Sequence, residues 1–145
     1  MIRDGFVKLI QAGLGTPPMA SGGFNVMLPK DYLSADNLMA WTYRSISSEP
    51  EYILEGQDGF TTWEIQLDCH GFSGPAPTKQ GAANAITLAQ AIDSIVRGGW
   101  SGILPDADHT HVYGIFRSGP YLDGYSDANR SNVVTLEYKI QYAQI

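Results

Sequence analysis

Four residues between positions 106 and 111 have side chains and a spacing that could hold a metal ion. Asp106, Asp108, His109 and His111 offer two carboxylates and two imidazoles, which are common ligands of zinc and related metals. Alternate residues of an extended segment point to the same side, so His109 and His111 could face one ion. No second cluster supplies a clear fourth ligand or a supporting hydrogen-bonded shell. We therefore expect polar side chains at the entrance of a strand here, and no metal.

Two other groups of residues could support covalent or acid–base catalysis. Cys69 and His70 combine a thiol with a base, but neighbours in a strand point to opposite faces, which prevents the hydrogen bond that activates a thiolate. We expect a buried thiol beside a surface histidine. Glu49, Glu51 and Glu55 could act as paired carboxylates, although charged side chains on an exposed hairpin are usually solvated. Neither group therefore indicates a catalytic site.

Periodic apolar residues predict the helices and strands that must position these groups. Alternation of apolar and polar residues predicts strands, and apolar residues spaced by three and four predict helices. The predicted elements are, in chain order, a helix over 2–12, strands over 38–47 and 60–72, a helix over 78–97, and strands over 110–117 and 132–143. The second helix is rich in alanine, which allows a close approach to the sheet. The large core side chains should therefore come from the strands: Trp41, Tyr43, Trp63 and Tyr138.

The order of these elements predicts an α+β fold in a single domain over residues 1–145. We expect an antiparallel β-sheet of about four strands with helices packed on one face, together with long hairpin loops. A chain of 145 residues is long enough to bury a sizeable core. The glycine- and proline-rich stretch 14–38 contains one brief apolar run, 24–28, that could form a short strand.

Two long polar segments between strands, 48–59 and 118–132, are candidate contact surfaces. The chain also has 8 tyrosines, more than one small core needs, and tyrosine is enriched at protein interfaces. We therefore hypothesise that both segments contact a partner protein. The candidate interface residues are Glu49, Glu51, Tyr52, Leu54, Glu55, Asp58, Tyr121, Asp123, Tyr125, Asp127 and Arg130.

The composition narrows the classes of function and compartment. The net charge of −6 argues against a protein whose main task is to grip phosphate backbones, since such binding depends on Lys and Arg. The single cysteine, Cys69, allows no internal disulfide and suggests a reducing compartment. We find no apolar run of transmembrane length and no signal-peptide pattern, so we expect a protein made in a cytoplasm and not bound to a membrane.

The order and spacing of several sequence blocks resemble the tail completion proteins of long-tailed bacteriophages, a family of tail terminators once catalogued as a domain of unknown function. The resemblance covers most of the chain from about Phe24 onward. The blocks are AWTYRSISSE at 40–49, LEGQDG at 54–59, WEIQLDCHG at 63–71, an alanine-rich helix, VYGIF at 112–116, a loop with Asp123 and Gly124, and VVTLEYKI at 133–140.

This resemblance implies a structural virion protein without catalytic residues, cofactor or enzymatic activity. Members of the family form a homo-hexameric ring at the head-proximal end of the tail tube, end tube polymerisation and join the tail to the head-closure or connector protein. DNA passes through the lumen without sequence-specific binding. In such a ring, the segments 48–59 and 118–132 would reach the next subunit or an adjacent ring. The implied location is the virion tail, after assembly in the host cytoplasm. Two alternatives stay open at this point: another phage neck component, such as a head-closure or connector protein, and a small metal-dependent hydrolase using Asp108, His109 and His111.

Overall fold

A computed structural model describes residues 2–15, 20–53, 56–96, 100–106, 109–119 and 121–143, with the backbone alone described at position 21 and within 47–60. The described residues form two helices and seven strands. In chain order these are α1 (Ile2–Gly13), β1 (Ser21–Asn25), β2 (Met39–Ile53), β3 (Gly56–Phe72), α2 (Lys79–Ile95), β4 (Gly102–Ile103), β5 (His111–Arg117), β6 (Leu122–Ser126) and β7 (Ser131–Ala143).

The seven strands form one mixed sheet with the order β1-β2-β3-β7-β5-β4, and β6 lies beside β7. The pairing of β1 with β2 is parallel, and every other described pairing is antiparallel. Twisted strands coil a sheet when enough of them pair side by side. This sheet is curled into a half-barrel.

The predicted sheet of about four antiparallel strands with helices packed on one face is therefore wrong. The segment 118–132, expected to be a loop, contains β6, and the turn-rich passage after α2 contains β4. The brief apolar run near Phe24 lies partly in β1, which adds the parallel pair. These three strands are short and pair mainly through backbone hydrogen bonds, so side-chain alternation gives little sign of them.

The central strand β7 is paired along both of its edges. β3 pairs with it on one side over its whole length, from Phe72 opposite Ser131 to Phe60 opposite Ala143. On the other side β6 pairs with its first half and β5 with its second half. Two short strands thus share one edge of β7, and each of them extends the sheet beside one half of β7.

The helices and the strand cores follow the predicted pattern. α1 and α2 confirm the two predicted helices, and Thr78 begins α2 as its N-cap, with its side-chain oxygen accepting a hydrogen bond from the Gly81 amide at 3.0 Å. The four large aromatic residues expected from the strands are all buried. α1 joins the same core, because the Phe6 ring meets the Trp63 ring edge-on with centroids 6.0 Å apart.

The close approach predicted for α2 occurs at a pair of glycines. Gly71 of β3 lies directly against the backbone of α2 at Gly81, where a Cβ atom at position 71 would overlap the Gly81 carbonyl oxygen. Within the described residues, no helix is long and apolar enough to span a membrane.

Candidate functional site

One of the two acidic residues of the candidate metal cluster, Asp106, closes a turn within the chain. Asp106 is buried, and its two carboxylate oxygens accept hydrogen bonds from the Thr110 amide at 2.8 Å and the Thr110 hydroxyl at 2.6 Å. Burial alone would raise the pKa of Asp106, but these hydrogen bonds outweigh it and the pKa lies below its usual value. Both oxygens are thereby used in holding the turn that leads into β5.

The histidines of that cluster point away from the turn. His109 and His111 are exposed, and the His111 ring lies against the Tyr113 ring with centroids 4.9 Å apart. Asp108 lies outside the described residues. Among the residues that are described, no group of three or more His, Cys, Asp or Glu side chains is placed to hold a metal ion.

Cys69 and His70 lie on opposite faces of β3, as the alternation predicted. Cys69 is fully buried in the main core, and burial raises the pKa of its thiol far above the usual value, which makes it unreactive. His70, however, is only 5% exposed, so the prediction of a surface histidine is wrong. Its Nδ1 lies 2.9 Å from the Ser131 hydroxyl.

The reason for the burial of His70 is a second, smaller core on the other face of the sheet. His70 pairs with Ala40 of β2, and Ala40 packs with Leu28 and Leu33 from the segment between β1 and β2. That segment covers the part of the sheet that the alternation assigned to solvent. Burial lowers the pKa of His70, while the nearby charge of Asp68 acts in the opposite direction.

A polar cluster around Asp93 is a side-chain network that sequence reasoning missed. Asp93 of α2 accepts hydrogen bonds from the Tyr138 hydroxyl at 2.7 Å and from the Tyr121 hydroxyl at 3.4 Å. Arg117 forms a salt bridge with Asp93 at 3.0 Å, and its guanidinium lies 4.8 Å from the centre of the Tyr121 ring. The network ties the helix to β5 and β7. Burial and the bond to Asp93 raise the pKa of Tyr138.

The candidate interface residues in the segment 118–132 divide into two groups. Tyr121 belongs to the Asp93 network, and the Tyr125 hydroxyl donates a hydrogen bond to the Gly74 carbonyl at 2.6 Å. These two side chains hold the segment on its own chain. Asp123, Asp127 and Arg130 are exposed, and the Arg130 guanidinium lies 6.0 Å from the centre of the Phe72 ring.

The described part of the candidate segment 48–59 forms a two-stranded ribbon. β2 and β3 stay paired as far as Ile53 opposite Gly56, whereas the pairing of β3 with β7 begins at Phe60. The ribbon therefore continues past the last described pair of the central strand. The backbones of Glu49, Glu51, Tyr52 and Asp58 lie on the ribbon or at its base, and Leu54 and Glu55 lie outside the described residues.

A scan against protein-family models finds no match to this chain, and a search of curated proteins finds no significant match. The assignment of a function therefore depends on the geometry above and on the resemblance of the sequence blocks.

Proposed function

We propose that the chain is a non-enzymatic structural protein of a long-tailed bacteriophage. It forms a hexameric ring at the head-proximal end of the tail tube, ends tube polymerisation and joins the tail to the head. Its partners are further copies of itself, the tail tube protein and a head-closure or connector protein.

The observation that carries this proposal is where the resembling blocks fall in the fold. The blocks at 40–49, 63–71, 112–116 and 133–140 lie on β2, β3, β5 and β7, which are the four strands that pair in succession across the sheet. The block at 40–49 also includes the base of the projecting ribbon, and the described part of the block at 54–59 lies on its second strand. The resemblance thus involves the framework of the sheet rather than a scattered set of surface positions.

Charge and shape agree with an assembly role. With a net charge of −6, the subunits would repel DNA passing through a ring, which prevents the polymer from adhering to the wall. A ribbon that extends beyond the sheet can reach a neighbouring protein without disturbing the main core, because its pairing is confined to β2 and β3.

The oligomeric state of the purified protein tests the proposal. We expect a hexameric ring by light scattering after size exclusion, or a monomer that becomes a ring when purified tail tubes are added. Electron microscopy of the mixture should show the ring at one end of the tubes, and tubes capped in this way should stop growing. A folded monomer that ignores tail tubes over a wide concentration range would refute the proposal.

A shortened ribbon gives a second test with its own control. In the variant, residues 51–60 are replaced by an Asn-Gly turn, which keeps Pro50 opposite Thr61 and joins antiparallel strands with little strain. The variant should keep the thermal melting of the full chain but lose its association with tubes or the head-side protein. Gln90→Ala, at an exposed position on α2 and outside both candidate contact segments, should keep both properties.

A further inference from the structure

The outer edge of β2 has a partner strand over only its first residues. β1 pairs with β2 as far as Tyr43, and the Val26 amide then donates a last hydrogen bond to the Tyr43 carbonyl at 2.8 Å. At Val26 the chain turns away sharply, because the Met27 amide bonds the Asn25 carbonyl at 2.9 Å around a φ of +73°. A β-branched residue is strained in this conformation. From Arg44 onward, none of the described strands pairs with this edge.

The outer edge of β5 is open in a similar way. β4 pairs only with His111 and Val112, at the start of the strand. Over residues 114–117, no strand in the described part of the chain lies on that side. Phe116, whose ring covers Gly114, is 51% exposed, and Ile46 of β2 is 48% exposed. An unpaired strand edge with exposed apolar side chains is a template for pairing with a strand of another chain.

The two open edges lie in the same rows of the sheet. Following the pairing across the strands, one row joins Arg117, Tyr138, Ile65 and Ser45, and another joins Gly114, Gln141, Thr62 and Glu49. Each of these rows therefore begins at the open edge of β5 and ends at the open edge of β2. A row that is open at both ends can be extended by an identical row from a second molecule.

The strand directions favour pairing of these edges between copies. β2, β3, β7 and β5 are successively antiparallel, so β5 runs opposite to β2. A rotation about an axis parallel to the strands leaves the direction of every strand the same in both copies. β5 of one copy would therefore meet β2 of the next copy in the favoured antiparallel sense.

We propose that residues 114–117 of β5 add as a strand to residues 44–49 of β2 in a second copy of this chain, so that the sheet continues from subunit to subunit. Such a contact joins two different surfaces and closes into a ring when the rotation per subunit divides a full turn. The ladder ends at Pro50, which has no amide hydrogen. This inference rests on the proposed ring and specifies the surfaces that build it.

The opposite ends of the sheet offer a competing contact. The rows that run through the first half of β7 begin at the outer edge of β6 and end at β1. The strand β1, however, lies against α1. The Gln11 side chain donates to the Gly22 carbonyl at 3.3 Å, and a Cβ atom at Gly23 would touch Val7. With α1 in this position, the β1 edge is less accessible than the β2 edge.

Lysine substitutions at matched exposed positions distinguish the two contacts. A charge on an edge strand opposes addition of another strand. Phe116→Lys and Ile46→Lys should each weaken self-association at least tenfold, measured by light scattering over a range of concentrations. Leu122→Lys, on β6 at a position that is 54% exposed, should leave it unchanged. Circular dichroism and thermal melting should show that all three variants remain folded.

Cross-linking tests whether the contact is between unlike edges. Cys69 is buried, so Phe116→Cys and Ile46→Cys each add one accessible thiol. A short bismaleimide should link a mixture of the two variants into dimers, while each variant alone should give none. Dimers from one variant alone, or a ring that survives both lysine substitutions, would overturn this inference and leave the proposed ring standing. A native chain that stays monomeric with tail tubes would overturn the ring and this inference together.

Discussion

Replacing Gly71 with alanine should strongly destabilise the fold, because α2 crosses β3 in backbone contact at this residue. A Cβ atom at position 71 would overlap the Gly81 carbonyl oxygen and lie 2.7 Å from the Ala85 amide nitrogen and 3.0 Å from the Asn84 Cβ. Two of these three neighbours are backbone atoms, which cannot rotate away as the end of a long side chain can. The helix must therefore move off the sheet.

The size of the effect follows from known costs of overpacking. Inserting a methyl group into a tightly packed core usually costs about 1–3 kcal/mol, and contact with backbone places this case at about 3 kcal/mol or above. For a chain of this length, about 3 kcal/mol lowers the melting temperature by roughly 10 °C. Total stabilities are about 5–15 kcal/mol, so the variant should still fold at room temperature.

Gly124→Ala is the matched control, because a Cβ atom at position 124 of β6 meets no atom within 4 Å. Both substitutions restrict the unfolded chain equally, so their difference reports the clash alone. Urea titrations and thermal melts should show Gly71→Ala well below the control. Equal melting temperatures for the two variants would mean that α2 does not touch β3 here.

Two further substitutions test the buried polar groups. Burial lowers the pKa of His70 below 6.5, so below this pH the unfolded chain binds a proton more readily than the folded chain does. The melting temperature should therefore fall as the pH drops below about 6.5. It should fall less in His70→Asn. The same pH dependence in both proteins would exclude His70 as its source. Asp106→Ala should remove two hydrogen bonds to a carboxylate and lower the free energy of unfolding by about 3 kcal/mol. The control for this change is Asp123→Ala, at an exposed position. Since the pKa of Asp106 is depressed, the difference between these variants should shrink as the pH falls below 3.8; a difference that is absent at neutral pH would contradict the proposed turn.

The parts of the fold that sequence reasoning predicted are those with one buried and one polar face. α1, α2 and the central portions of β2, β3, β5 and β7 all bury one side against the main core, so their periodicity is strong. β6 has mostly exposed side chains and is held by backbone bonds to β7, which leave no mark in the pattern of residue types. Because neither β4 nor β6 was predicted, the width and the curl of the sheet could not be predicted.

The candidate site shows the same division. The opposite directions of Cys69 and His70 follow from strand geometry alone. The burial of His70 depends on Leu28 and Leu33, which belong to a segment with no regular period. Asp93 is one polar residue among several on α2, and only the tertiary fold brings it to Arg117 and Tyr138.

The position of β7 has a consequence for how the chain reaches its native state. β7 is synthesised after every other described strand, yet it is the strand on which β3, β5 and β6 all depend. Until it leaves the ribosome, those three strands lack their common partner, and the nascent chain holds only the hairpin of β2 and β3 with its neighbours. The sheet should therefore be completed only after synthesis of residues 131–143. This step should be slow because the contacts between β3 and β7 are distant in sequence, and strands should be exposed to aggregation during translation.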